Sequence, residues 1–125
     1  MNGLSYAYLG DAVFELKIRE HLINKGIYKI NKLHNEAIKF TSAKAQSYVI
    51  NELINREILT EVELKMFKLG RNADAKYGKK SASMMEHKYA TGLESLVGFL
   101  HNEDKDRLNY LIEQIIEVIE VGQDA

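Results

Sequence analysis

The absence of proline, together with apolar residues at helical intervals, is the feature that most constrains how this chain folds. Proline disrupts helix interiors, and none occurs among the 125 residues. The apolar residues recur mostly three and four positions apart, which is typical of amphipathic helices. We therefore predict an all-α fold, a helical bundle that contains no strand.

The same periodicity predicts six helices. The first, over residues 4–24, carries apolar residues on most sides, so we expect it at the centre of the bundle. Gly26 is expected to end it, and the fourth helix is expected to be short and to carry Val62, Leu64, Met66 and Phe67. The expected starts of the later helices are Asn31, Thr41 or Ser42, Thr60 with Glu63 as a capping box, Ser81 or Ser83, and Asn102 or Asp104.

Composition limits the classes to which the protein can belong. Its length predicts one domain over residues 1–125. No cysteine is present, which excludes disulfides and thiolate metal sites. No apolar run approaches the roughly 18 residues of a membrane span, and no signal-peptide pattern opens the chain. We therefore expect a cytoplasmic protein without a membrane partner.

The charged residues are segregated along the chain although the net charge is only −1. Residues 17–44 and residues 65–88 each carry seven Lys or Arg against two acidic residues, whereas residues 102–125 are acidic. Two basic segments in a small domain favour a polyanionic partner. The alternative is that these segments form ordinary solvated faces.

Two acidic residues lie inside otherwise apolar helical segments. Asp11 belongs to Tyr8–Val13 and Glu94 to Leu93–Gly98. A carboxylate in apolar surroundings is costly unless it is paired, protonated or bound to a cation. Small residues near Glu94 would let the first helix approach closely, so the two carboxylates could converge on Mg²⁺. The alternative is that Asp11 caps a helix or pairs with a lysine, while Glu94 stays half-exposed.

These two segments resemble the signature helix and the second metal-binding motif of the ribonuclease III family. Leu69–Ala73 and Ala43–Gln46 add to the likeness, which is greatest with the Mini-ribonuclease III subfamily and covers essentially the whole chain. The resemblance implies a homodimeric ribonuclease III-like bundle that hydrolyses double-stranded RNA with Mg²⁺. It further suggests maturation of large-subunit (23S) ribosomal RNA, with a ribosomal protein as a candidate helper.

The resemblance also assigns roles to individual residues. Asp11 and Glu94 would be the metal ligands and catalytic residues, and Tyr8 would pack across the dimer interface. Full-length ribonuclease III carries acids where this chain has Leu4, Ala7 and Thr91, so fewer direct protein–metal bonds are expected. That departure keeps an alternative open, a non-catalytic dimer that binds RNA without cutting it.

RNA affinity is expected to come from the catalytic domain itself, since the chain has no residues left for a separate double-stranded-RNA-binding domain. Duplex RNA is recognised mainly through its shape, phosphates and 2′-hydroxyls, so spaced basic side chains are needed. Lys44 and, beside it, Gln46 are weaker candidates. The candidate RNA-binding residues are Arg71, Asn72, Lys76, Lys79, Lys80, Lys88 and Lys44.

Overall fold

The computed structural model describes residues 1–73 and 83–124. Within these ranges the regular elements are α1 (Gly3–Asn24), α2 (Ile30–Thr41), α3 (Ala43–Asn55), α4 (Glu61–Arg71), α5 (Met84–Glu103) and α6 (Lys105–Asp124). The predicted all-α fold class is therefore confirmed. None of the helices in this part of the chain combines the length and apolar character that a membrane crossing requires.

Helix α5, and not α1, is the centre of the bundle. It packs against α1, α3, α4 and α6, and the Leu93, Leu96 and Leu100 side chains are buried along it. The prediction that the first helix is central was wrong, because α1 leaves an apolar stripe exposed to solvent. Apolar residues around a helix indicate contact on several sides, but they do not distinguish a core from an uncovered surface.

The α1–α5 contact depends on glycine at the crossing point. A Cβ atom added to Gly10 would lie 1.7 Å from the backbone oxygen of Glu94, and one added to Gly98 would lie 2.0 Å from the backbone oxygen of Tyr6. Both distances are far below van der Waals contact. The two backbones therefore touch directly, and the side chains next to the glycines on one helix lie close to those on the other.

Most of the predicted helix boundaries are confirmed by local hydrogen bonds. Ser42 caps α3, the Thr60–Glu63 capping box opens α4, and Ser83 caps α5. Gly26, at φ +89°, follows the last residues of α1, where glycine is the residue that most easily takes this conformation. Asn31 was wrongly predicted as a cap, because α2 begins one residue before it and Lys29 provides no side-chain cap.

Helix α4 is tied to α6 by an ion pair that the apolar pattern did not indicate. Glu63 is 3% exposed, whereas the neighbouring Val62 is 56% exposed. The Arg107 Nε donates to Glu63 Oε2 at 2.7 Å, and its Nη2 donates to the Ile58 carbonyl at 2.8 Å. The pair satisfies a buried carboxylate and joins the start of α4 to the start of α6.

Candidate active site

The crossing of α1 and α5 places Asp11 beside Glu94. Asp11 follows Gly10, whose Cα lies against the backbone of Glu94. Asp11 is exposed and Glu94 is partly buried, so the pair lies at the edge of the interface with one carboxylate open to solvent. The convergence that we predicted from the small residues near Glu94 is present in the structure.

The surroundings of Glu94 favour its neutral form. Burial, a hydrogen bond with Asp11 and the charge of Asp11 raise the pKa of Glu94 to about 9, while a hydrogen bond from Gln46 acts in the opposite direction. Two carboxylates this close share a proton unless a cation lies between them. Among the described residues no Lys or Arg forms a salt bridge with either carboxylate, so the lysine-paired alternative is not what the structure shows.

Gln46 is the residue of this site that the sequence did not assign to it. It was predicted to face RNA, but it is 2% exposed and its side chain hydrogen-bonds Glu94. Its place on α3, three residues before the buried Val49, follows the apolar face of that helix. A polar residue in the apolar register of a helix was the signal available in the sequence.

The side chains at this site fit a hydrated hard cation. Two carboxylates supply oxygen ligands, and Mg²⁺ needs only one or two carboxylates because it keeps several of its waters. In the described ranges no cluster of three or more His, Cys, Asp or Glu side chains could hold a metal. Two of the positions that lack the further acids named above are occupied by Ala7 and Thr91. Ala7 is buried, and the Thr91 hydroxyl donates to the His87 carbonyl at 2.9 Å.

The predicted RNA-binding residues fall into three groups. Arg71 ends α4 with its guanidinium 5.6 Å from the Phe67 ring centre, and its Nε donates to Asn72 Oδ1 at 3.0 Å. Lys88 is partly buried on α5, and Lys44 is exposed at the start of α3, two residues from Gln46. Three of the predicted lysines, Lys76, Lys79 and Lys80, lie outside the described residues.

An exposed apolar stripe runs along α1 beside the carboxylate pair. Tyr8 is 86% exposed and lies one turn before Asp11, with Leu4 and Leu16 exposed on the same side of the helix. Isolated exposed apolar residues are common, but a continuous stripe marks a surface suited to a protein partner. The stripe explains why α1 is apolar on a side that does not face the core.

The family model and the curated relatives that match this chain agree on one family. The profile for "Ribonuclease III domain" matches residues 4–105. The chain is 41% identical to Mini-ribonuclease 3 of Streptococcus pneumoniae, covering 96% of this chain and 94% of that protein. It is 43% identical to Mini-ribonuclease 3 of Acholeplasma laidlawii, covering 98% and 97%. A crystal structure of a Fusobacterium nucleatum protein superposes with a TM-score of 0.82 at 32% identity, covering 98% of this chain and 94% of that one.

Proposed function

The chain belongs to the ribonuclease III family and is an endoribonuclease, and from this premise we propose that it cleaves double-stranded RNA with Mg²⁺. The observation that carries the proposal is the convergence of Asp11 and Glu94 at the α1–α5 crossing. We further propose that residues 1–125 act as one catalytic domain. The proposed cellular task is maturation of 23S ribosomal RNA in the cytoplasm, with a ribosomal protein as a candidate helper.

Asp11 and Glu94 would hold the cation through their carboxylate oxygens. When bound, Mg²⁺ supplies a Lewis acid that activates water and stabilises the negative charge developing at the scissile phosphate. Asp11 is open to solvent, so a phosphate of an approaching duplex can reach the pair from that side. Glu94 would hold the cation as a carboxylate, so its proton would have to be released to solvent on binding.

We propose that two copies of the chain associate through the exposed stripe on α1, with Tyr8 in the interface. The Tyr8 side chain is almost fully exposed in the single chain, and a two-fold pairing of identical stripes would cover it. Each copy would bring one carboxylate pair close to the shared interface. Two such centres are what cutting both strands of a duplex requires.

Basic side chains would supply the affinity for RNA phosphates. Lys44 is exposed near Gln46, and Arg71 and Asn72 lie at the end of α4. These positions support Lys44, Arg71 and Asn72 as proposed RNA contacts. Lys88 is retained with them, and Lys76, Lys79 and Lys80 remain predictions from the sequence. Such contacts read the backbone and make binding fall as salt concentration rises.

The test is cleavage of an end-labelled RNA hairpin by the purified full chain, with Mg²⁺ and with EDTA. We expect cleavage only with Mg²⁺, and its loss in Glu94→Gln and Asp11→Asn. Glu103→Gln is the matched control, because Glu103 is exposed on the same helix as Glu94. Duplex binding without any Mg²⁺-dependent product would instead favour the non-catalytic RNA-binding dimer.

A further inference from the structure

The buried side-chain amide of Gln46, on α3, lies beside the carboxylate pair. Gln46 is 2% exposed, and its side chain donates a hydrogen bond to the carboxyl of Glu94 on α5. It is one of three buried polar or charged side chains in the described part of the chain, with Glu63 and Ser95. Glu63 is held by Arg107, and the Ser95 hydroxyl has no hydrogen-bond partner among the described residues. Gln46 is therefore the one of the three that hydrogen-bonds a carboxyl of the site.

The start of α3 is fixed, and Gln46 is fixed with it. The Ser42 Oγ accepts the Ala45 N–H at 3.1 Å, and the Ser42 carbonyl accepts the Gln46 N–H at 2.9 Å. Further along the helix Val49, Ile50 and Leu53 are fully buried. The amide therefore starts from a backbone that is anchored on both sides, and little freedom remains to lose when it binds Glu94.

An amide suits this place better than the alternatives of similar size. A methionine would leave Glu94 without its donor, and a third carboxylate would add repulsion to a pair that already shares a proton. A lysine would neutralise the pair and compete with a cation. A neutral donor orients one carboxylate without replacing the metal that the site is built to hold.

We propose that Gln46 is a positioning residue that orients the Glu94 carboxylate for cation binding. The proposal rests on the proposed function, since it assumes that Asp11 and Glu94 hold the metal. Residues that hydrogen-bond a metal ligand typically change metal affinity by about 10- to 100-fold when they are removed. Gln46 acts through Glu94 and touches neither substrate nor cation.

The first test measures binding of Mn²⁺ to the RNA-free protein by water-proton relaxation, so that it does not depend on activity. We expect Gln46→Met to weaken Mn²⁺ binding about tenfold, the lower end of that range. Asn51→Met is the matched control and should bind as the wild type does. Asn51 is exposed on the same helix, and its amide is donated to the Ser47 carbonyl.

The second test separates positioning from a merely structural role. In hairpin cleavage, Gln46→Met should raise the Mg²⁺ concentration for half-maximal rate about tenfold, while kcat at saturating Mg²⁺ stays within about twofold of the wild type. In a Glu94→Ala background, which removes the acceptor, the same change should have no further effect on the remaining Mn²⁺ binding, because the carboxyl that Gln46 orients is absent. Gln46→Asn, whose amide is one carbon shorter, repeats the test should the methionine variant fail to fold.

The outcomes distinguish this inference from the proposed function. Unchanged Mn²⁺ affinity in a folded Gln46 variant, with a wild type that cleaves RNA, overturns the role of Gln46 alone. An equal loss of affinity in the Glu94→Ala background overturns it too, since the effect would not pass through the Glu94 carboxyl. A wild type that does not cleave the hairpin with Mg²⁺ overturns the proposed function itself.

Discussion

Replacing Gly10 by alanine tests the contact on which the site depends. The added Cβ would lie 1.7 Å from the Glu94 backbone oxygen, and an ordinary contact begins at 3.4 Å. The helices must therefore separate by about 1.7 Å at this point. Because the atom that is struck belongs to the backbone, no side-chain rotation can relieve the clash.

The expected effect on stability is the balance of two terms. Alanine is favoured over glycine inside a helix by about 1 kcal/mol. Overpacking typically costs about 1–3 kcal/mol and sometimes more, and a backbone contact belongs at the upper end. We therefore expect Gly10→Ala to lower the free energy of unfolding by about 2 kcal/mol or more.

The effect on activity should exceed the effect on stability. Asp11 is the next residue, so separating the helices also separates the two carboxylates, and a displacement of about 1 Å can cost roughly 100-fold in rate. Urea unfolding and hairpin cleavage measure the two effects. Gly122→Ala is the control, because its Cβ would meet the Tyr48 hydroxyl at 3.4 Å. A Gly10→Ala protein with wild-type stability and cleavage would refute the reasoning.

Three further predictions concern other parts of the structure. Burial beside Asp11 raises the pKa of Glu94 to about 9 from 4.5, so metal-free stability should fall as pH rises from 4.5 to 9; unfolding in EDTA should show Glu94→Gln flattening this fall. Burial acts to raise the pKa of Glu63, but hydrogen bonds from Arg107 and Thr60 outweigh it and lower that pKa. The Glu63–Arg107 pair should therefore stabilise the fold above pH 4.5 and lose this contribution on acidification. Arg107→Met should lower the free energy of unfolding by about 3 kcal/mol in thermal or urea unfolding at pH 7, and Glu63→Gln in the same chain should restore part of it. Tyr8→Lys should shift sedimentation toward the monomer without unfolding the chain, whereas Tyr28→Lys, at a residue that is 75% exposed outside the helices, should leave it unchanged.

Local features of the sequence were sufficient to predict the helices. Caps such as Ser42 and the Thr60–Glu63 box depend on residues three positions apart, so their hydrogen bonds can be read directly from the chain. The convergence of Asp11 and Glu94 was also predictable. Small residues on one helix face indicated where another backbone could approach, and acids in apolar segments needed a common partner.

Long-range polar contacts could not be predicted in the same way. Glu63 and Arg107 are 44 positions apart, and nothing in their local patterns links them. Gln46 was misplaced on the RNA side because a polar residue near a lysine resembles a surface. The central position of α5 was missed because apolar content, which is high in α1, does not reveal which faces the rest of the chain covers.

The apolar stripe on α1 runs past Asp11, with Tyr8 one turn before it, so a single helix carries both an exposed apolar face and half of the carboxylate pair. Whatever covers Tyr8 also borders the opening through which Asp11 meets solvent. Occupancy of that face would limit the directions from which a rigid RNA rod can enter. In the dimer proposed above, association and catalysis would both depend on α1, so dilution of the protein should weaken turnover before it unfolds any chain.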